Sequence, residues 1–430
     1  GAMGAALSAP VELVRVRRFG NAAVRGATAE LQGWRAGHDD ALAACFGDAG
    51  ASSAAAWLVT GHGISVGGGG GGASSSAAEV AAVALGEELS LAKVLPDASR
   101  VCHAFRKVDG RLRDGGGGEP AAAAGGASVA GVLVACEGDG SYTARLVQLG
   151  DVRLLLAHPP GEPEPEGESA ADAPSGTCCW PLILVTDPHS PASPAERARI
   201  EAAGGEVSQT NPPRIDGSLA SSRALGDFEF KDPSRLPHEQ KVTCEPDVYE
   251  LSGLRPGSLC ILAGKAFWDV MPGPAAVAGT VRDWLAREPK ADLGDLAAGL
   301  LRSCLRLQCR GSLSVVLLQF ADGAGWSTAL DEIQNFGGLL GDDCGNNPGR
   351  QDDEVQRQTL LFLRRCGFPD EPCPCDVCER WVQPMSRCRC QRATYCSKAC
   401  QRAAWKEHRS TCEAPRRAPS GGEPAASRTP

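Results

Sequence analysis

The stretch that decides the fold of most of this chain reads Arg214-Ile-Asp-Gly217-Ser-Leu-Ala-Ser-Ser-Arg223-Ala-Leu-Gly226-Asp227-Phe-Glu-Phe-Lys231. It lies between two groups of short apolar runs that are bounded by turn residues. The upstream runs are 129–135, 143–149 and 152–157, and the downstream runs are 259–263 and 313–320. Runs of this length, apolar throughout or alternating with polar residues, are typical of β-strands joined in hairpins.

Helical patterns are interspersed irregularly among these strands. Residues 79–95, 275–286 and 293–307 have helical periodicity. Ser193-Pro194-Ala195-Glu196 combines a capping box with proline at the first helical position. Because strands and helices do not alternate strictly, the expected fold class is α+β. Three low-complexity stretches, 66–76, 114–126 and 159–176, are expected to be surface insertions.

Composition bounds the function classes. The 430 residues suffice for two or three domains, and a net charge of −9 argues against a protein that coats nucleic acid. No apolar run reaches the roughly 18 residues that a membrane-spanning helix needs, so no membrane association is expected. No secretory signal is visible at the start, which predicts an intracellular protein, cytoplasmic or nuclear.

The 19 cysteines are unevenly distributed, and nine of them lie between Cys366 and Cys412. Zinc binds four nitrogen or sulfur ligands, supplied in close pairs by turns or helix faces. Cys396 and Cys400 are four residues apart, as are His408 and Cys412, so each pair can share one helix face. Eight ligands predict two zinc ions that stabilise a small segment. Closed four-ligand sites leave no position open for catalysis, so this segment is expected to bind partners.

The same segment closely resembles the MYND zinc finger family, through Tyr395-Cys396-Ser-Lys-Ala-Cys400-Gln401 and Trp405-Lys-Glu-His408 up to Cys412. The resemblance implies two interleaved ligand sets. The first set is Cys375, Cys378, Cys396 and Cys400, and the second is Cys388, Cys390, His408 and Cys412. The spacing Cys388-x-Cys390 departs from the Cys-x-x-Cys usual in the family, and Cys373 is an alternative ligand.

The resemblance also implies protein partners, including proline-rich peptides, for this finger. Residues 373–412 carry eight Arg or Lys against three acids, and two zinc sites with seven thiolates reduce the net charge to about +2. That is too little for a surface that follows phosphates, so nucleic acid is not an expected partner.

The larger part of the chain resembles the metal-dependent Ser/Thr protein phosphatases of the 2C type. The stretch quoted first is nearly a consensus segment of that family. Three other motifs occur in family order: Gln32-Gly-Trp-Arg35, Leu149-Gly-Asp151 and Leu262-Ala-Gly-Lys265-Ala-Phe-Trp-Asp269. The resemblance implies a central β-sandwich flanked by helices, over residues 11–321. The expected remainder is an acidic linker at 322–372 with one short helix at 353–365, the finger at 373–412 and a disordered tail at 413–430.

Catalysis in this family uses two divalent cations that share acidic ligands and activate a water. By resemblance, Asp39 and Asp40 are the first acidic pair and Arg35 binds phosphate. The family's Asp-Gly-His loop aligns with residues 47–50, so Gly47 and Ala49 replace its Asp and His. Gly61-His62-Gly63 fits that loop less well in spacing. A second metal-binding Asp is replaced by Lys265, and the last is absent because Gly311-Ser312-Leu313 runs straight into a strand.

Three hypotheses follow. The first, preferred, is a pseudophosphatase in which magnesium or manganese binding is doubtful and Lys265 is a counter-charge that pairs with Asp39 or Asp40. The second is an active metal-dependent phosphatase in which Asp48 or a shifted loop rescues a metal. The third is an adaptor that binds a phosphoresidue on a phosphoprotein through Arg35 and Lys265 without cleaving it.

Overall fold

The computed structural model describes fifteen segments of the chain. They are residues 6–38, 40–46, 52–63, 77–89, 95–114, 125–159, 181–288, 291–323, 331–335, 353–368, 375–377, 381–383, 386–388, 390 and 393–412. The expected tail at 413–430 and the low-complexity stretch at 66–76 lie outside the described residues.

The described elements are strands and helices in irregular order. The strands are β1 (Ala6–Gly20), β2 (Val24–Arg35), β3 (Ala41–Phe46), β4 (Ser53–Gly63), β5 (Gly125–Cys136), β6 (Tyr142–Leu149), β7 (Val152–Ala157), β8 (Leu182–Val185), β9 (Leu225–Gly226), β10 (Asp247–Leu254), β11 (Leu259–Gly264), β12 (Leu313–Phe320), β13 (Asp331–Asn335), β14 (Trp381–Gln383), β15 (Ser386–Arg387) and β16 (Thr394–Tyr395). The helices are α1 (Ala77–Glu88), α2 (Ala98–Arg113), α3 (Pro194–Ala202), α4 (Lys265–Val270), α5 (Pro274–Arg287), α6 (Leu293–Arg306), α7 (Asp353–Arg365) and α8 (Lys398–Thr411).

Two antiparallel sheets form a sandwich. The larger sheet has the order β14-β13-β1-β2-β12-β11-β7-β8. The smaller has the order β10-β6-β5-β4-β3, with β9 paired to β5, and β15 and β16 form a separate hairpin. The expected α+β sandwich flanked by helices is therefore confirmed.

The central strands are buried on both faces, which explains why they are apolar nearly throughout. On β12, Val316 and Leu318 point into the sandwich, where they join Leu58 and Val132 of the smaller sheet. The alternate residues of β12, including Val315, face the helices α5 and α6 instead. At about 25 cal/mol per Å² of apolar surface removed from water, such two-sided burial is the main stabilising term of the sheet.

The smaller sheet is covered on its outer face by α1 and α2, which share a cluster with Trp57. Trp57 is fully buried and lies opposite Gly131 in the strand pairing. A Cβ atom on Gly131 would approach the Trp57 ring to 2.2 Å, so glycine is required there. Helix α2 is amphipathic and is capped by Asp97, whose carboxylate accepts a hydrogen bond from the Arg100 amide.

The expected acidic linker contains two elements that pack on the large sheet. Strand β13 extends that sheet by pairing with β1, and α7 has the bounds expected for the short helix. Buried Phe362 and Leu363 of α7 share a cluster with Leu13 of β1 and Ile333 of β13. The described part of residues 322–372 is therefore folded against the sandwich, because its apolar positions cover an otherwise open part of the sheet.

Candidate functional site

The described residues include a cavity of about 930 Å³ at one end of the sandwich. Its walls come from strand ends and from loops between strands, including Arg35 at the end of β2 and residues 60–62 near the end of β4. The quoted stretch 214–231 contributes a further wall, through Arg214 and residues 218–221 and 227–230. Because the loops of a sandwich cluster at its ends, polar side chains far apart in sequence meet there.

Lys265 lies in this cavity between two carboxylates. Its Nζ atom is 3.4 Å from Oδ2 of Asp151 and 3.4 Å from Oδ1 of Asp269. The strand register explains the first contact, because Gly264 at the end of β11 lies opposite Val152 at the start of β7. Asp269 follows one helical turn after Lys265 on α4. Burial raises the pKa of Asp151, and the Lys265 ammonium opposes that shift.

Of the two partners expected for Lys265, only Asp40 lies within the described residues. Lys265 was predicted to pair with Asp39 or Asp40, and the described carboxylate of Asp40 instead accepts a hydrogen bond of 2.7 Å from Ser314 Oγ. Asp39 lies outside the described residues, as do Gly47, Ala49 and Asp48. Asp40 is buried, which raises the pKa of its carboxyl group.

Thr60, Gly61 and His62 line the cavity, whereas residues 47–50, which the resemblance aligns with this loop, lie outside the described residues. The antiparallel pairing of β3 with β4 gives the physical reason. Ala41, the neighbour of Asp40, pairs with Val59, and Phe46 at the other end of β3 pairs with Ala54. Residues 60–62 are thus beside Asp40, and Thr60 precedes Gly-His where the resemblance calls for Asp. The signal available in the sequence was Gly61-His62-Gly63 directly after an apolar strand.

His62 forms a short contact with the Asp227 carboxylate in the cavity. Its Nε2 atom is 2.6 Å from Oδ2 of Asp227, and Asp227 has a left-handed backbone conformation with φ of 50°. Burial disfavours the charged imidazole, but the Asp227 carboxylate outweighs it, so the pKa of His62 is raised. Gly126 gives Asp227 its room, because a Cβ atom there would lie 2.2 Å from Oδ2 of Asp227.

Arg35 and Arg310 also line the cavity and bring positive charge to it. The Arg310 guanidinium lies over the ring of Trp34, the residue before Arg35, at 4.1 Å from the ring centroid. Neither arginine forms an ion pair with another described residue. Both guanidinium groups are therefore available to an anionic group.

Helix α7 holds the chain segment that carries Arg35 and Asp40. Arg365 donates a hydrogen bond to the backbone carbonyl of Asp40 and lies 3.8 Å from Glu30.

Two further contacts join α7 to the same segment. Phe362 packs edge-on against His38, with ring centroids 5.9 Å apart. A hydrogen bond of 3.1 Å from Gln32 to Gln358 adds a polar contact close by. Residues from the expected linker thus support one wall of the cavity.

Two clusters of potential metal ligands lie in the C-terminal segment. Cys388, Cys390, His408 and Cys412 form one, and Cys375, Cys396 and Cys400 form the other, with ligand atoms within 4.8 Å of one another in each. Cys378 and Cys373 lie outside the described residues. The seven described residues fall into the two sets implied by the resemblance, and this donor set fits two zinc ions.

Local structure explains these clusters. Helix α8 is capped by Ser397, whose side chain accepts a hydrogen bond from the Cys400 amide. Cys400 and His408 lie on the side of this helix that faces the donor clusters. The spacing Cys388-x-Cys390 is compatible with the site, since the two Sγ atoms are 3.2 and 3.3 Å from Nε2 of His408. A hydrogen bond from the Cys390 backbone, with contacts from His408, lowers the pKa of Cys388 to about 6, which favours the thiolate that zinc binds.

Among the described residues, no helix is both long and apolar enough to cross a membrane.

Comparison with known proteins identifies relatives of both parts. Residues 132–313 match the family Protein phosphatase 2C, and residues 375–412 match the MYND finger. The mouse protein named Probable protein phosphatase 1N is 34% identical over 321 residues, which are 73% of this chain and 69% of the mouse protein.

Two solved structures share the fold. A phosphatase from Toxoplasma gondii aligns with a TM-score of 0.55 at 22% identity, over 71% of this chain and 95% of that one. A sex determining protein of C. elegans aligns with a TM-score of 0.51 at 17% identity, over 70% of this chain and 65% of that one.

Proposed function

The chain belongs to the protein phosphatase 2C family and carries a C-terminal MYND finger, and from this premise we propose that it is a catalytically impaired phosphatase homologue whose finger docks protein partners. The phosphatase-like unit is assigned to residues 11–321, with β13 and α7 as additions to it, and the finger to residues 373–412. The proposed compartment is intracellular.

The observation that supports impaired catalysis is the position of the Lys265 ammonium group between Asp151 and Asp269. A two-cation centre needs carboxylates that remain free to bind Mg²⁺ or Mn²⁺ and to share a bridging water. An ammonium group 3.4 Å from two of the cavity's carboxylates takes the place of a cation as their partner and repels a divalent ion.

Two further features support the same proposal. Thr60 offers a neutral hydroxyl beside Asp40 where the resemblance calls for an acid. The Asp40 carboxylate is already hydrogen-bonded to Ser314 and buried. The described residues therefore do not fit a two-cation centre.

The test is a phosphatase assay on the purified full chain with millimolar Mn²⁺, using an aryl phosphate and a phosphoserine peptide. We expect no turnover above that of Asp40→Ala. A second arm measures Mn²⁺ binding by calorimetry, where Lys265→Asp/Thr60→Asp is expected to bind at least about tenfold more tightly than the wild type.

Lys107→Ala is the matched control for Lys265, because Lys107 is a similarly exposed lysine with a carboxylate partner outside the cavity. It is expected to leave Mn²⁺ binding unchanged. Mn²⁺-dependent turnover by the wild type that Asp40→Ala abolishes would overturn the proposal in favour of an active phosphatase with a shifted metal site.

A second candidate function is phosphoresidue binding without hydrolysis. It is favoured by two arginines that line the cavity, Arg35 and Arg310, the second of which stacks on Trp34. Guanidinium groups bind phosphate through paired N–H donors. Binding of a phosphoserine peptide without turnover, lost in Arg35→Ala, would support this function.

For the finger we propose two zinc ions per chain and the docking of short protein segments, including proline-rich ones. The proposal rests on the two donor clusters and on the family match. Closed sites with four ligands leave zinc no catalytic position. Elemental analysis tests the metal content directly.

A further inference from the structure

Helix α8 has a basic outer face that the zinc sites do not use. Lys398, Arg402, Lys406 and Arg409 are all exposed and follow one another at intervals of four, four and three residues. At about 100° per residue these intervals place all four side chains within about 80° of the helix circumference. The face is therefore a continuous row of cations about 16 Å long.

No described carboxylate neutralises this row. None of the four cations forms an ion pair with a described residue, whereas Arg106 and Lys107 on the solvent-facing side of α2 pair with Glu245 and Glu88. The single acid of α8 is Glu407, and its position lies on the opposite side of the helix from Lys398. A solvated helix face usually mixes both signs, so an unbalanced row favours an anionic occupant.

Trp405 borders the same face and gives the occupant a second anchor. It is a large apolar side chain with 46% of its surface exposed. Its ring lies 6.1 Å from that of His408, so Trp405 is next to a residue of the second donor cluster. Exposed tryptophans on ordered helices are typical anchors of protein interfaces.

We propose that this face docks an acidic protein segment. Carboxylates of that segment pair with the cationic row, and one of its apolar side chains packs on Trp405. The inference rests on the proposed docking function of the finger and adds the chemistry of its partner. An extended segment of about five residues spans the row, at about 3.3 Å per residue. Nucleic acid is the less favoured occupant, because four cations on one helix neutralise few phosphates.

The test measures fluorescence anisotropy of a labelled short peptide rich in Glu and Pro with one Leu, added to the zinc-loaded full chain. Its counterpart has Gln in place of every Glu. The Glu peptide is expected to bind at least about tenfold more tightly at low salt, and the difference should shrink at 0.5 M salt. Arg402→Glu/Lys406→Glu should remove that preference while zinc content stays at two.

Lys107→Glu/Arg111→Glu is the matched control, because it makes the same change of charge on the exposed side of α2. It is expected to leave binding of both peptides unchanged. Trp405→Ala should weaken both peptides by about tenfold, since it removes the apolar anchor and no charge.

The outcomes distinguish a failure of the acidic-partner proposal from a failure of the docking function proposed for the finger. Equal binding of the Glu and Gln peptides, or a preference that survives the charge reversal on α8, refutes the acidic partner and leaves the docking function standing. Failure of both peptides to bind refutes both. Tighter binding of labelled single-stranded DNA than of the Glu peptide, lost on the same charge reversal, overturns the inference in favour of nucleic acid.

Discussion

Replacing Arg365 by Met tests whether helix α7 supports the cavity. Arg365 is mostly buried and donates a charge-assisted hydrogen bond to the Asp40 carbonyl, while Met keeps the apolar stem. A hydrogen bond from a charged donor contributes about 1.5–3 kcal/mol. Glu30 is not left unpaired, because Arg15 at 3.0 Å and His38 at 3.1 Å remain. The Glu79 contact is at the surface and adds little.

We therefore expect Arg365→Met to lower the free energy of unfolding by about 2 kcal/mol. Arg357→Met is the matched control on the same helix. Arg357 is 62% exposed and pairs with Glu354 three residues earlier, and an ion pair this exposed to water adds little to stability. The measurement is urea unfolding of both variants beside the wild type.

Hydrogen exchange gives a second readout. Amides of β3, which begins directly after Asp40, should exchange faster in Arg365→Met and not in Arg357→Met. Equal losses of stability in the two variants, or unchanged exchange in β3, would refute the claim that α7 holds this wall.

Two further predictions concern the ionisable and metal sites. Because the folded-state pKa of His62 is raised, its ion pair contributes stability that is fully present below its ordinary pKa near 6.5 and is lost as the pH rises through the folded value. NMR titration of the imidazole should show that Asp227→Asn lowers this pKa, and an unchanged pKa would contradict the assignment. At the finger, Cys390→Ser should reduce the zinc content from two ions to one, since it removes a ligand of the second cluster. Cys373→Ser should keep both ions, and the reverse result would show that Cys373 is the ligand instead.

Much of the fold was predictable from local pattern. The central strands are apolar on both faces because each sheet is covered by helices on one side and by the other sheet on the other. The helix at 353–365 was also found with its expected bounds. Helix α2 was missed although Asp97 caps it and its apolar positions recur at helical spacing.

Local signals were misleading where distant groups compete for the same side chain. Glu196 was expected to complete a capping box with Ser193, but Ser193 makes no side-chain capping bond. Glu196 instead forms buried ion pairs with Arg223 and Arg199. Two arginines in a buried setting bind a carboxylate more strongly than one backbone amide does, and their approach depends on the tertiary fold.

The sequence by itself determined the identities that limit the chemistry: a lysine where the resemblance calls for a metal-binding acid, and a set of cysteines and a histidine sufficient for two zinc sites. Only the tertiary structure decided which groups meet. It sets Lys265 between Asp151 and Asp269, aligns Thr60 with Asp40 through the β3–β4 register, and brings Ser314 to Asp40 from 274 positions away. The physical reason is that local pattern depends on neighbours along the chain. Strand register is decided by the packing of whole sheets, and a shift of one residue would turn each side chain to the opposite face.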